Sequence, residues 1–122
     1  MWEFETQFSE IIRQTSDIKT FRFGVKDRKG VTYNAGQFFY VTIKVNGAEA
    51  VHHFTLSSSP TETATKGYVE FTKRITQSDY SQALDRMKPG DWAKVQGPEG
   101  DFCLPDTTSR LAFLSGGIGI TP

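Results

Sequence analysis

The sequence predicts an all-β protein, a six-stranded antiparallel β-barrel of Greek-key type that carries one short helix. Three observations predict this fold class. Six segments alternate apolar and polar residues, as strands with one buried side do. Turn residues separate the segments, and only residues 78–88 change to a helical period. A fully apolar C-terminal strand departs from both patterns and predicts the first element of an incomplete α/β domain.

The first two predicted strands span residues 4–15 and 18–25, with a short polar turn between them. In the second strand, Phe21, Phe23 and Val25 share one face. This alternation is typical of a sheet that has one side packed on a core.

A second pair of strands follows at residues 38–45 and 50–56, joined by Asn46 and Gly47. Both turn residues tolerate positive φ, so they predict a hairpin. Residues 57–66 contain a proline and three threonines, and we expect a polar loop there.

Residues 78–88 predict the single amphipathic helix, because apolar residues recur at i, i+4 and i+7, namely Tyr80, Leu84 and Met87. Ser78 or Asp79 can cap its N-terminus. Strands at 67–75 and 92–96 flank this helix.

The last part of the chain divides the molecule into two regions. A turn at residues 97–100 separates two short strand signals, the second at 102–104. We assign residues 1–106 to the barrel. Residues 107–122 form a linker, a strand and a glycine-rich loop that begin the second domain.

Composition limits the function classes. Fourteen Lys and Arg balance 14 Asp and Glu, with a pI near 6.7, so charge gives no case for nucleic acid or an acidic membrane surface. Cys103 is the only cysteine, which excludes an intrachain disulfide. No leader and no apolar run of about 18 residues is present, so a soluble cytoplasmic protein without membrane insertion is expected.

Residues 52–60, HHFTLSSSP, combine a strand end with a hydroxyl-rich loop. In an alternating strand, His52 and Phe54 point one way while His53 and Thr55 point the other. One flat aromatic and several small donors then lie at the mouth of the barrel, which indicates a binding loop. The alternative is a strand end followed by an ordinary Ser/Pro turn.

With these segments in place, the sequence resembles the ferredoxin–NADP reductase superfamily, in which a flavin-binding barrel precedes a nicotinamide-nucleotide domain. Six ordered motifs, spread over nearly the whole chain, carry the resemblance. They are GQF at 36–38, an RxYS/T-like HHFT at 52–55, Lys73 and Arg74 with Ser81 and Leu84 in KR…S..L, KPGD at 88–91, GPEGDF at 97–102 and GGIGITP at 116–122.

The resemblance implies roles for individual residues. Phe54 would lie against the isoalloxazine, and Thr55 would place a hydroxyl near the flavin N5 atom that accepts hydride, as the candidate catalytic residue. The remaining implied flavin contacts are His52, Ser57, Ser58, Ser81, Gly97 and Gly100. Implied contacts with a nicotinamide nucleotide are Gly116, Gly117, Gly119 and Thr121, and NAD(P)H would bind only with the missing domain.

The sequence differs from the family's motifs at two positions that the resemblance assigns to binding of the flavin phosphate. His52 replaces the arginine of RxYS, and histidine is charged only below its pKa. We hypothesise that phosphate binding is weaker here and strengthens at mildly acidic pH. Ser78 replaces the usual glycine of GxxS, so a close backbone approach to phosphate can be lost. FAD is favoured over FMN by the family, with FMN left open. A surface role for Ser81 is the alternative to phosphate binding.

His52 and His53 do not predict a metal site, because neighbouring strand residues face opposite ways. The apolar C-terminal strand can be disordered, cover a barrel edge or mediate self-association. The implied function is the flavin-binding part of an NAD(P)H-dependent oxidoreductase that passes electrons to a one-electron acceptor. Alternatives are an electron-transfer module active only with a partner chain, and a flavin-free interaction barrel.

Overall fold

The computed structural model describes residues 1–100, which form one six-stranded antiparallel sheet and two short helices. The predicted strand signal at 102–104 and the glycine-rich segment at 107–122 lie outside the described residues. The strands are β1 Trp2–Arg13, β2 Ile18–Gly24, β3 Phe38–Val45, β4 Ala48–Thr55, β5 Tyr68–Arg74 and β6 Trp92–Glu99, and the helices are α1 Pro60–Lys66 and α2 Asp79–Asp85.

The strand order is β4-β3-β6-β1-β2-β5, so the connections from β2 to β3 and from β5 to β6 cross over other strands. The sheet curls until its two edge strands meet. Phe54 of β4 stacks on Phe71 of β5, and the Ser57 amide beyond β4 donates to the Glu70 carbonyl of β5. The predicted antiparallel Greek-key barrel is confirmed, as a curled half-barrel with a seam between β4 and β5.

The barrel core is built mainly from the alternating aromatic residues. Phe21 and Phe71 stack with centroids 5.1 Å apart, and Phe8 lies 4.7 Å from Phe23. Edge-to-face and offset aromatic pairs of this kind add stabilisation beyond the apolar area that they bury. The helix α2 covers one end of the core with Leu84, which is fully buried.

Helix α1 corrects the prediction of a polar loop at residues 57–66. Ser59 and Glu62 form a reciprocal capping box, Pro60 occupies the first turn, and Gly67 ends the helix with φ 75°. These signals outweigh the low helix propensity of its threonines.

The predicted turn at residues 97–100 is also wrong for most of its length, because β6 continues to Glu99. Gly97 pairs with Trp2, Glu99 pairs with Phe38, and the register between β6 and β3 shifts at this point. Such a bulge lets Pro98 lie in a central strand without donating to a ladder. A Cβ at Gly97 would approach Phe39 Cβ to 2.9 Å, so glycine is required by packing.

Candidate functional site

Strand β4 presents two distinct faces at the seam. Its register pairs His52 with Val41 and Phe54 with Phe39, both fully buried residues of β3. His52 and Phe54 therefore lie on the inner face of the sheet. His53 and Thr55 lie on the outer face, as the alternation predicts.

Four aromatic side chains form a continuous row along the seam, and we call this set the aromatic row. His52 stacks on Tyr80 of α2 with centroids 4.0 Å apart and planes at 18°. Phe54 follows 6.5 Å from His52, and its other neighbour, Phe71, is 4.1 Å away at 13°. The row extends from the buried Phe71 to the exposed His52. It offers flat aromatic surface at the seam, where His52 is exposed and Phe54 is partly exposed.

A basic side chain, Lys73, lies beside the aromatic row. Lys73 Nζ lies 5.9 Å from the centroid of the Phe54 ring. Burial lowers the pKa of Lys73, and burial followed by the charges of Lys73 and His53 lowers the pKa of His52 below its ordinary value of 6.5. The His52 imidazole is therefore neutral at neutral pH and acts as an aromatic group. The expected strengthening of phosphate binding moves to lower pH than the sequence alone suggests.

The hydroxyl groups after Phe54 have different surroundings. The Thr55 hydroxyl forms no side-chain hydrogen bond among the described residues. Ser57 Oγ accepts a 3.2 Å hydrogen bond from Thr72, and its amide is held by Glu70. Because Thr55 and Phe54 face opposite sides of β4, a planar ligand can reach both only across the open edge of this strand.

Ser58 belongs to the scaffold through its side chain. Its hydroxyl lies 2.8 Å from the Tyr33 hydroxyl and accepts from the Glu70 amide, and only 4% of the residue is exposed. The Tyr33 hydroxyl also lies 2.8 Å from Thr63 Oγ1 and 2.9 Å from the Ser58 and Ser59 carbonyl oxygens. This network fixes the loop after β4. A flavin contact by the Ser58 hydroxyl does not fit its buried position.

Ser81 is likewise enclosed. The residue is fully buried, its hydroxyl accepts from Thr76 Oγ1, and its amide donates to Ser78 Oγ. Ser78 is the N-cap of α2, so it performs the capping that the sequence predicts. The phosphate contact implied for Ser81 stays a prediction that its present surroundings do not favour.

Gly97 and Gly100 each have a packing role against β3. Gly100 adopts φ 104°, and an added Cβ would come within 2.9 Å of the Phe38 ring. Its carbonyl accepts from the Gln37 side chain at 3.2 Å. Contacts of either glycine with a flavin remain predictions. Gly116, Gly117, Gly119 and Thr121 lie outside the described residues, as does Cys103.

Sequence reasoning missed the site roles of Tyr80 and Lys73. Tyr80 matched only the apolar stripe of the helix, yet its hydroxyl donates to the Val41 carbonyl at 2.7 Å and its ring supports His52. Lys73 matched a motif without receiving a role. The motif spacing was the available signal for Lys73, whereas nothing local in the sequence indicates that Tyr80 stacks on a strand residue.

A groove of about 770 Å³ lies elsewhere on the barrel. Its lining includes Trp2, Phe4, Lys26, Val31 and Trp92, and none of the predicted flavin residues. It lies beside the first half of β1, which pairs with β6 but not with β2 among the described residues. Within residues 1–100, no three His, Cys, Asp or Glu side chains are grouped to hold a metal ion. Neither described helix has the length and apolarity needed to span a bilayer.

Comparison with known proteins gives consistent results. A model of the oxidoreductase FAD-binding domain family matches residues 5–103. The chain is 32% identical over 115 residues to the glycine betaine monooxygenase reductase subunit of Pseudomonas aeruginosa, covering 93% of this chain and 31% of that protein. It is 34% identical over 134 residues to NADH-cytochrome b5 reductase 2 of Danio rerio, covering 87% of this chain and 42% of that protein.

Among solved structures, a ferredoxin NADP+ reductase from Neisseria gonorrhoeae with bound FAD and NADP has the same fold, with a TM-score of 0.69 and 15% identity. The match covers 81% of this chain and 39% of that chain. The sequence thus spans less than half the length of each of these proteins.

Proposed function

The chain belongs to the oxidoreductase FAD-binding domain family, and from this premise we propose that its barrel holds FAD at the β4–β5 seam of an NAD(P)H-dependent reductase. The aromatic row is the observation that carries the proposal. An isoalloxazine is flat and largely apolar, and the row offers it a half-exposed ring, Phe54, braced from behind by Phe71. Phe54 and Phe71 therefore fit the isoalloxazine ring of FAD.

The chain's own residues hold and orient the cofactor in this proposal. Phe54 supplies the stacking surface, and Ser57, fixed on β5 through Glu70, supplies polar contacts beside it. Thr55 offers its hydroxyl at the edge of the ring. FAD supplies the hydride and electron chemistry, while the protein supplies position and a dry surface.

The whole protein's activity extends the proposal beyond the described residues. Nicotinamide nucleotide would bind through residues 116–121 and the domain that they begin, and electrons would then pass to a one-electron acceptor. A second candidate is a reductase component that works only with a partner chain. The 32% identity to a reductase subunit favours it, since that protein's name describes one part of a larger enzyme.

The test is to purify the chain, release any bound flavin and identify it, then titrate the flavin-free chain with FAD while recording visible absorbance. We expect a saturable 1:1 shift of the flavin band. The Phe54→Ala variant should bind FAD about two- to twelvefold more weakly, because an aromatic contact contributes about 0.5–1.5 kcal/mol. Phe4→Ala, a partly buried aromatic packed against the core outside the row, is the matched control. A chain that leaves the FAD spectrum unchanged would support the flavin-free interaction barrel instead.

A further inference from the structure

A single lysine at the seam has no partner within the part of the chain that the structure describes. Lys73 and Lys19 are directly opposed in the β2–β5 ladder, an arrangement of like charges that destabilises a sheet. Lys19 is neutralised by Asp85 of α2 at 2.7 Å and also donates to the Asp85 carbonyl. Lys73 Nζ makes neither an ion pair nor a hydrogen bond among residues 1–100. Among the described residues, no carboxylate neutralises the charge of Lys73.

The charged end of Lys73 lies beside the aromatic row. Lys73 follows Phe71 on the inner face of β5, and its Nζ lies 5.9 Å from the centroid of the Phe54 ring. It also lies close enough to His52 to lower the pKa of the imidazole. Lys73 thus lies near both the Phe54 ring and His52, the residue that replaces the arginine of RxYS.

Two acidic side chains of the elements that form the seam bind other cations. Asp85 binds Lys19, and Glu70 binds Arg22 at 2.6 Å on the outer face of the sheet. A partly buried cation without a carboxylate partner is unfavourable, and an anionic ligand removes that cost.

We infer that Lys73 supplies the positive charge that holds the flavin's phosphate groups. The cation facing the phosphate then comes from β5 instead of β4. This inference rests on the proposed function, because it concerns the same site. It predicts that phosphate-bearing flavins depend on Lys73 and that riboflavin, which lacks phosphate, does not.

The test compares the affinities of FAD, FMN and riboflavin for the 122-residue chain and for Lys73→Met at pH 7.5. We expect FAD and FMN to bind the variant about ten- to a hundredfold more weakly, as expected for loss of a charge-assisted contact, and riboflavin to bind equally well. Lys73→Arg should retain FAD affinity within about threefold, because the charge is kept. The affinity of the original chain for FAD should also fall with added salt, and that of Lys73→Met should fall less.

Lys26→Met is the matched control. Lys26 lies just beyond the end of β2 at which Gly24 pairs with Tyr68. Lys73 pairs with Lys19 near the opposite end of the same ladder. Tyr68 and Lys73 are five residues apart on β5, which at 3.3–3.4 Å per residue is about 17 Å. Removal of the Lys26 charge should leave all three affinities unchanged. Equal FAD binding by the original chain and Lys73→Met would overturn this inference alone. Equal losses of FAD and riboflavin in Lys73→Met would also overturn it, because they would show a general effect on the site. No flavin binding by the original chain would overturn the proposed function together with this inference.

Discussion

The imidazole ring of His52 stacks on the phenol ring of Tyr80, with centroids 4.0 Å apart and planes inclined by 18°. The contact joins the open edge strand β4 to helix α2, which covers one end of the barrel. Tyr80 is itself fixed by a hydrogen bond from its buried hydroxyl to the Val41 carbonyl. His52 therefore extends the aromatic row from the core to solvent, and its charge state depends on that packing.

Replacing His52 by Arg should tighten FAD binding about tenfold at pH 7.5. The guanidinium can stack on Tyr80 and still present a permanent charge to phosphate, whereas the imidazole is neutral. His53→Arg is the control, because His53 lies on the opposite face of the same strand. Fluorescence titration measures both affinities. Equal affinity for His52→Arg and the unchanged chain would refute a phosphate near this position.

The free energy of unfolding should fall as the pH drops below 6.5, partly through His52. Its pKa is lowered in the folded state, so between 6.5 and that lower value the unfolded chain binds the proton first and is stabilised. Above 6.5 both states are neutral at this group and the contribution is constant.

Urea unfolding at pH 7.5 and 5.5 measures this effect. The variant His52→Phe keeps a flat ring on Tyr80 and should lose less stability over this interval. Carboxyl groups with lowered pKa, such as Glu62 and Asp85, contribute mainly below their ordinary values of 4.5 and 3.8, outside the interval. The same pH dependence in both proteins would contradict the assignment.

Tyr33→Phe should reduce the free energy of unfolding by about 1–3 kcal/mol, because buried oxygens at Ser58 and Thr63 lose a hydrogen-bond partner. Tyr40→Phe is the control, since the Tyr40 hydroxyl bonds to the Glu99 side chain and not to a buried carbonyl. Chemical denaturation should show a clear decrease for the first variant and little change for the second. Comparable stability of the two variants would argue against the buried network.

Gly97→Ala should destabilise the chain by about 1–3 kcal/mol, because a Cβ would come within 2.9 Å of Phe39 Cβ in a packed core. Gly24→Ala provides a direct contrast. No heavy atom lies within 4 Å of its added Cβ, so we expect unchanged or slightly increased stability. Thermal unfolding of the pair separates local packing from a general intolerance of substitution at glycine. If Gly97→Ala left the thermal stability unchanged, the bulge in β6 would have to shift away from Phe39 to make room for the added Cβ.

The strands could be predicted from the sequence because period-two alternation is a local property. The alternation of Phe21 and Phe23 predicted a buried face of β2, and both side chains are fully buried in the structure. Helix α1 could not be predicted in this way, because its polar sequence has no apolar stripe and Thr63 is its one buried residue. Its capping residues were visible at Ser59 and Gly67, but a proline and several threonines favoured a loop.

The site was partly predictable for a similar reason. The order of the motifs along the chain predicted that Phe54 and Thr55 lie together at the end of a strand, which is β4. The alternation of strand residues predicted that their side chains lie on opposite faces of it. The burial of Ser58 and Ser81 could not be predicted, because a hydroxyl in a loop or first turn faces solvent or core according to tertiary packing. Among residues 1–100, Asp85 of α2 pairs with Lys19 and not with Lys73, and this tertiary contact could not be predicted from a local sequence pattern.

The most direct test of the flavin site is an amide NMR titration of the ¹⁵N-labelled chain with FAD. We predict that shift changes will concentrate at the seam, in residues 52–57, at Lys73 and around Tyr80. Amides that line the 770 Å³ groove, such as those of Phe4, Lys26 and Val31, should stay near their original positions. Shifts concentrated in the groove, or a spectrum unchanged by saturating FAD, would contradict the location of the site.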